Sequence, residues 1–309
     1  MNWDTVINIL VATIAAGTPL VYAALGELIV EKSGVLNLGV EGMMLVGAIS
    51  GFITMAVTGS LILAVSAGML AGALMALIFA VLTLTLMANQ VASGLALTIF
   101  GTGLSAFMGI KYTSVALAGV SDLHIPFLSD IPVLGKLIFS FDILVYASLL
   151  LLAGIMWFLY KSRAGLILKA VGESPKSGHA LGYPVIGIRY LAVLFGGAMA
   201  GVGGVYLAIA YTPMWVEGMV AGRGWVALAL VVFATWRPMR VMVGAYLFGG
   251  VTIVQFHIQG FGFEIPSQIL SMLPYLATIF VLVLISRDKN LIRLNSPASL
   301  GTTFHPENN

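Results

Sequence analysis

An all-α bundle of membrane-spanning helices, with about eight to ten spans, is the fold class this sequence predicts. Three features predict it. Of 309 residues, 60% are hydrophobic and only 8% charged; apolar runs recur at span length; and the basic residues are gathered into a few short segments. A soluble domain carries roughly 25% charged residues, because its surface must stay hydrated. The 36 glycines agree, since glycine is commoner in transmembrane helices than in soluble ones.

Crossing about 30 Å of hydrocarbon takes roughly 20 apolar residues. Runs of this kind occupy 5–25, 36–57, 61–87, 91–110, 141–160, 189–211, 222–236, 241–256 and 269–286. Met1 to Asp4 lack the basic cluster of a cleavable leader, so the first run is expected to remain as a span. The runs at 222–236 and 241–256 are short, and tilted, broken or re-entrant helices are expected there. Residues 1–290 thus form one transmembrane domain, followed by a polar tail at 291–309.

Lys and Arg set the orientation. Ten of the fourteen basic residues fall in three segments: Lys161, Arg163, Lys169, Lys176 and Arg189; then Arg237 and Arg240; then Arg287, Lys289 and Arg293. All three segments, and with them the C-terminus, are expected on the cytoplasmic side. The stretch 111–140, with Asp122, Asp130, two prolines and only two lysines, suits the outer side. Parity then places a loop near Glu27–Lys32 inside.

Small residues four apart recur as Gly47/Gly51, Gly68/Gly72, Ser105/Gly109 and Gly197/Gly201, a spacing that lets helix backbones approach closely in lipid. Trp157, Trp215 and Trp236 lie near span ends and are expected to act as interfacial anchors. Val40-Glu41-Gly42-Met43 is echoed by Val216-Glu217-Gly218-Met219, as in a transporter with an internal repeat.

Several polar residues are candidates for chemistry. Asn37 and Glu41, four apart, are expected to share a helix face. A charged carboxylate at the centre of a span costs on the order of 2.5–3.5 kcal/mol, so Glu41 either lines a pathway or makes a buried helix-to-helix hydrogen bond. Arg223 stands apart from the basic segments in Gly222-Arg223-Gly224-Trp225. Contact with solute, an ion pair to Glu217 or Glu41, and a headgroup contact are its open readings. Asn89, Gln90 and Ser93 form a polar break that reads as a turn. Gln255 and His257 read as hydrogen-bonded rather than as ligands. The 161–189 segment, punctuated by Gly and Pro, has the makings of one or two short helices at the cytoplasmic face.

With no cysteine, disulfides, Cys-ligated metals and thiol catalysis are excluded. A net charge of +2 does not suit a nucleic acid polymer as partner. Neither GxxxxGK[ST], GxSxG nor HExxH occurs, so ATP binding through a P-loop has no motif here. No cofactor is implied.

Four segments carry a resemblance: Gly26-Glu27 with Ser33-Gly34-Val35-Leu36-Asn37-Leu38-Gly39-Val40-Glu41-Gly42-Met43-Met44-Leu45; Asn89-Gln90-Val91-Ala92-Ser93-Gly94-Leu95-Ala96-Leu97; Gly165 to Gly182 around Lys169-Ala170-Val171-Gly172-Glu173-Ser174-Pro175; and Ala221-Gly222-Arg223-Gly224-Trp225-Val226-Ala227-Leu228-Ala229. Together they resemble permeases of the branched-chain amino acid/ribose/nucleoside ABC importer group. Within it the chain is most similar to the smaller permease of nucleoside (purine) importers served by a basic-membrane-protein-type binding lipoprotein. The resemblance implies a multi-pass subunit of a bacterial inner membrane, not itself an enzyme, that passes a small polar solute. Nucleosides or purine bases come first; pentoses or other small solutes are the alternative. It further implies a second permease subunit, a cytoplasmic ATP-binding subunit and an external solute-binding protein.

On this reading Asn37, Glu41, Gln90, Arg223 and Trp225 border the substrate path, and Glu173, Ser174, Pro175, Lys176 and Gly182 couple to the ATPase. Ser177-Gly178-His179-Ala180 stands where the family has paired alanines, which leaves the start of that helix open. A secondary carrier using Glu41 as a proton site is the rival from another mechanistic class. An intramembrane enzyme lacks a nucleophile–base pair.

Overall fold

A computed structural model describes residues 3–123, 126, 129, 131, 133–260, 269, 270, 272–286 and 295–305. The expectations for Asp130, Arg287, Lys289 and Arg293 lie outside the described residues. The helices are α1 (Trp3–Lys32), α2 (Val40–Thr58), α3 (Leu61–Ala80, continued by a π-helical turn at Val81–Thr85) and α4 (Gln90–Gly109). There follow α5 (Leu134–Ile138), α6 (Ile143–Lys161), α7 (Arg163–Glu173), α8 (Pro175–Ala180) and α9 (Val185–Tyr206, extended by a π-helical turn at Leu207–Tyr211). Last come α10 (Arg223–Phe233), α11 (Pro238–Gly260) and α12 (Leu273–Ser286).

Among the described residues, seven helices are long and apolar enough to cross a membrane. The run at 222–236 folds as the short helix α10, as its length predicted. The run at 241–256 departs from expectation: α11 is a full 23 residues. Gln255 and His257 interrupt the apolar run without interrupting the helix; the His257 ring bonds back to the Ile253 carbonyl at 3.0 Å.

Helix α9 forms the axis and packs against α1, α2 and α3. Over its most apolar stretch it is 83% buried, against 28% for α3 and α4. Glycines make this density possible. A methyl group added to Gly201 would collide with the Gly68 carbonyl, one on Gly72 with the Gly197 carbonyl, and one on Gly47 with the Gly201 backbone. Three of the small-residue pairs seen in the sequence therefore form one contact among α2, α3 and α9, gaining van der Waals attraction between backbones.

Two tryptophans are not the anchors expected. Trp215 is buried among Ile49, Phe52, Val205 and Ile209, and Trp236 is buried with its ring N–H on Glu31 Oε2 at 2.5 Å. Each sits beside a turn that folds back into the bundle, so closeness to a span end in sequence did not mean closeness to the surface. Trp157 is 65% exposed. The Val40/Val216 echo has no structural counterpart: Glu41 lies in a helix and Glu217 in an exposed turn.

Candidate functional site: a junction of broken helices

Between α1 and α2 the chain does not make a simple turn. Gly34, at φ +89°, reverses it, and Val35–Asn37 run back alongside α1 without helical structure. Asn37 therefore precedes the helix instead of sharing a face with Glu41. Two side chains on opposite sides hold this connector: Gln90 accepts the Leu36 N–H at 2.8 Å and Glu27 accepts the Asn37 N–H at 3.2 Å. Asn37 Oδ1 then takes the Gly39 N–H at 3.0 Å, and Thr98 donates to the Leu38 carbonyl at 3.0 Å. Irregular backbone inside an apolar bundle needs such partners, since an unsatisfied buried group costs about 1–3 kcal/mol.

The connector delivers Glu41 deep into the bundle. A Cβ added to Gly101 of α4 would meet the Gly42 Cα at 2.6 Å. From Gln90 to Gly101 is about 16 Å of helix at 1.5 Å per residue, roughly half of a hydrocarbon core about 30 Å thick. There Glu41 accepts the N–H groups of Gly222 at 2.8 Å and Gly224 at 2.6 Å. Both belong to the start of α10. The carboxylate thus caps another helix, satisfying N–H groups that have no partner within it and facing the positive end of its dipole. Gly222, at φ +82°, opens the helix, and Gly224 leaves room for the Glu41 backbone, which a Cβ there would meet at 2.5 Å.

Arg223 projects from the same turn. Its Nη1 donates to the carbonyls of Met219 at 3.1 Å and Val220 at 3.2 Å, and the guanidinium lies 5.9 Å from the centre of the Tyr211 ring. It lines a small cavity of about 140 Å³ with Thr252, Gln255 and Phe256. Trp225 is 37% exposed. The structure thus brings Glu41, Arg223 and Trp225 to one junction, while Asn37 and Gln90 hold the connector that leads to it.

Glu27 and Glu31 were expected near a loop; both are buried in α1. They hold the connector and Trp236 respectively. The signal for this role was present in the sequence: two carboxylates one turn apart immediately after an apolar run.

Two short helices form within 161–189. Ser162 caps α7 by accepting the Gly165 N–H at 3.0 Å. Ser174 caps α8 by accepting the Ser177 N–H at 3.2 Å, with Pro175 in the first turn, where a missing N–H costs nothing. The helix start left open by the sequence is therefore Pro175. Glu173 and Lys176 are exposed at this joint, and Gly182 ends α8 at φ +83°. Glycines seat α7 at both ends: Gly165 on the Phe158–Leu159 backbone and Gly172 on the Lys32–Ser33 backbone.

All four signature segments therefore meet at the connector and its two ends. The chain matches, over residues 9–285, the family described as "Branched-chain amino acid transport system / permease component". The chain belongs to this family. It is 41% identical, over 97% of its length and 98% of the relative's, to a provisionally named glucose ABC transporter permease protein of Haloferax volcanii. It is 34% identical to the nucleoside ABC transporter permease protein of Lactococcus lactis, over 92% of this chain and 94% of that one. It is also 34% identical to the guanosine ABC transporter permease protein of Bacillus subtilis, over 91% and 93%. The chain is thus a multi-pass ABC transporter permease for a small solute, as the motifs implied, and not itself an enzyme. Membership of this permease family implies an ATPase and a solute-binding protein as working partners.

Proposed function

We propose that this permease carries nucleosides or purine bases inward, paired with a second permease subunit, past the junction where Glu41 caps α10. The observation that carries this reading is the placement of Trp225 and Arg223. A partly exposed aromatic ring and a guanidinium leave the first turn of α10, directly after the break at Gly222. A planar heterocycle stacks on such a ring for about 1–3 kcal/mol per base, by analogy with nucleic-acid sites. Relatives named for nucleoside and guanosine transport support it. A sugar is the second reading, supported by the 41% identical relative named for glucose.

Competition uptake into vesicles holding the complete complex separates the two. Guanosine, adenosine and hypoxanthine are expected to compete while glucose and ribose do not, and Trp225→Ala is expected to weaken nucleoside uptake about tenfold, the equivalent of one lost stack. Competition by glucose alone, with Trp225→Ala unchanged, selects the sugar.

The α7–α8 joint, with Glu173, Ser174, Pro175, Lys176 and Gly182, is the proposed contact for the ATPase, which places it and the C-terminus in the cytoplasm. Lys161, Arg163, Lys169 and Lys176 cluster on this segment, in accord with the positive-inside rule. Because the native chain has no cysteine, His179→Cys gives a single reporter thiol. An impermeant thiol reagent is expected to label it in inverted vesicles only; labelling in intact cells reverses the orientation.

A further inference from the structure

We infer that the tail segment 295–305, locked in place by Arg189, transmits movement of the α7–α8 joint to the connector and thence to the Glu41 junction. The inference rests on the ATPase contact proposed above.

Arg189 lies in the first two turns of α9, and its side chain is only 1% exposed. A guanidinium offers a rigid planar fork of donors that must all find acceptors when buried. Nε donates to the Ser33 carbonyl at 3.1 Å. Nη2 donates to Ser299 Oγ at 3.1 Å, and Nη1 to the Thr302 carbonyl at 3.4 Å. One planar group therefore joins α9, the start of the connector and the tail.

The tail is bound on two sides. Toward α7–α8, Ser299 Oγ donates to the Gly172 carbonyl at 2.6 Å, the Ser299 N–H reaches the same carbonyl at 3.1 Å, and the Ala298 N–H reaches Glu173 Oε2 at 3.4 Å. Phe304 is buried with Val171 and Val185, its ring 5.8 Å from that of His179. Toward α1 and the connector, the Gly301 N–H donates to the Gly34 carbonyl at 3.1 Å and Lys32 Nζ to the Asn295 carbonyl at 2.7 Å. A cleft of about 360 Å³ runs between tail and joint, with Glu173, Lys176, Thr303 and His305 on its walls. A subunit that grips the joint there grips the tail as well.

The path to the junction is short. Displacing the tail pulls on Ser33 through Arg189 and on Gly34 directly. Seven residues after Gly34, in the first turn of α2, comes Glu41, whose carboxylate carries the start of α10. Arg189 and Ser299 are positioning residues in this scheme; neither needs to touch solute.

The test uses the complete complex in vesicles and reads three quantities: ATPase co-purified, ATP hydrolysed, and solute taken up per ATP. Ser299→Ala combined with Phe304→Ala is expected to lower uptake per ATP about fivefold, with assembly and hydrolysis held within about twofold, the scale of one lost hydrogen-bonded link. A chain lacking 295–309 is expected to hydrolyse ATP with uptake lost. Native uptake per ATP in the double variant overturns the inference, and so does failure of the double variant to assemble, which assigns the tail to folding alone. If the truncated chain does not assemble, the double variant decides. A native complex without ATP-dependent uptake refutes the permease–ATPase arrangement itself, whatever the variants do.

Discussion

The connector at 33–39 and the outward faces of α3 and α4 are held by opposite means. The connector has no regular structure, yet its Leu36, Asn37 and Gly39 N–H groups and its Ser33, Gly34 and Leu38 carbonyls all have partners outside any helical backbone ladder, most of them side chains of neighbouring helices. The faces of α3 and α4 are regular helix throughout and present Leu70, Leu74, Ile99 and Phe107 outward. Lipid tails are as apolar as leucine, so such a face asks only to be greasy. Irregular backbone within the bundle survives only where protein supplies each hydrogen bond. Specific sequence is therefore concentrated in the connector and its clamps, and permissive sequence lies on the rim.

The largest effect expected from this contrast is steric. Gly224→Val puts a Cβ 2.5 Å from the Glu41 backbone, and neither the connector nor α10 has slack to move. Overpacking costs about 1–3 kcal/mol where a core can adjust, and at least that much is expected here. Denaturation in mixed micelles and vesicle uptake measure it: stability falls and uptake is lost. A Gly224→Val chain of native stability and rate denies that Glu41 and α10 are in contact.

Next in size is Glu41 itself. Glu41→Ala strands the Gly222 and Gly224 N–H groups, at about 1–3 kcal/mol each, and uptake is expected to fall more than about tenfold. Glu41→Gln keeps one carbonyl oxygen as acceptor and is expected to retain most stability and a substantial part of the rate. The pair separates capping from proton transport. A carrier that needs Glu41 to bind and release a proton loses as much with glutamine as with alanine, so equal inactivity of two well-folded variants would favour the carrier.

Reading the sequence located the pieces of this site but not their joining. Composition and the span-length apolar runs together predicted a helical membrane bundle, since 8% charged residues is far below the roughly 25% of a soluble domain. The small-residue pairs named the three-helix contact of α2, α3 and α9. Of the polar candidates, Glu41, Arg223 and Trp225 lie together at the start of α10, and Asn37 lies in the connector before them. What periodicity could not show was that the helix begins at Val40 and not at Leu36, since an apolar strand folded back into a bundle has the same hydropathy as a helix. Gln90 read as a turn residue because its partner, the Leu36 N–H, is a backbone group 54 residues away with no mark in the sequence. Trp215 and Trp236 misled for the same reason: distance from a span end was counted along the chain, while burial depends on loops that fold inward.

The smallest effect is expected on the rim, and its smallness is informative. Leu74 and Ile99 are exposed on α3 and α4. In water, a leucine buried in a core costs about 2–5 kcal/mol to truncate, because apolar surface and packing are lost together. Against lipid, an acyl chain fills the space left by the missing methyl groups, and the apolar area never left an apolar medium. Leu74→Ala and Ile99→Ala are therefore expected to change stability by less than about 0.5 kcal/mol, the range of substitutions far from any special contact, with uptake unchanged. If Ile99→Ala instead weakens co-purification of a second permease while the isolated chain keeps its stability, the α4 face is covered by protein and not by lipid. That outcome would move α4 from the permissive class to the specific one and would place the subunit boundary on the far side of the same helix whose Gln90 holds the connector.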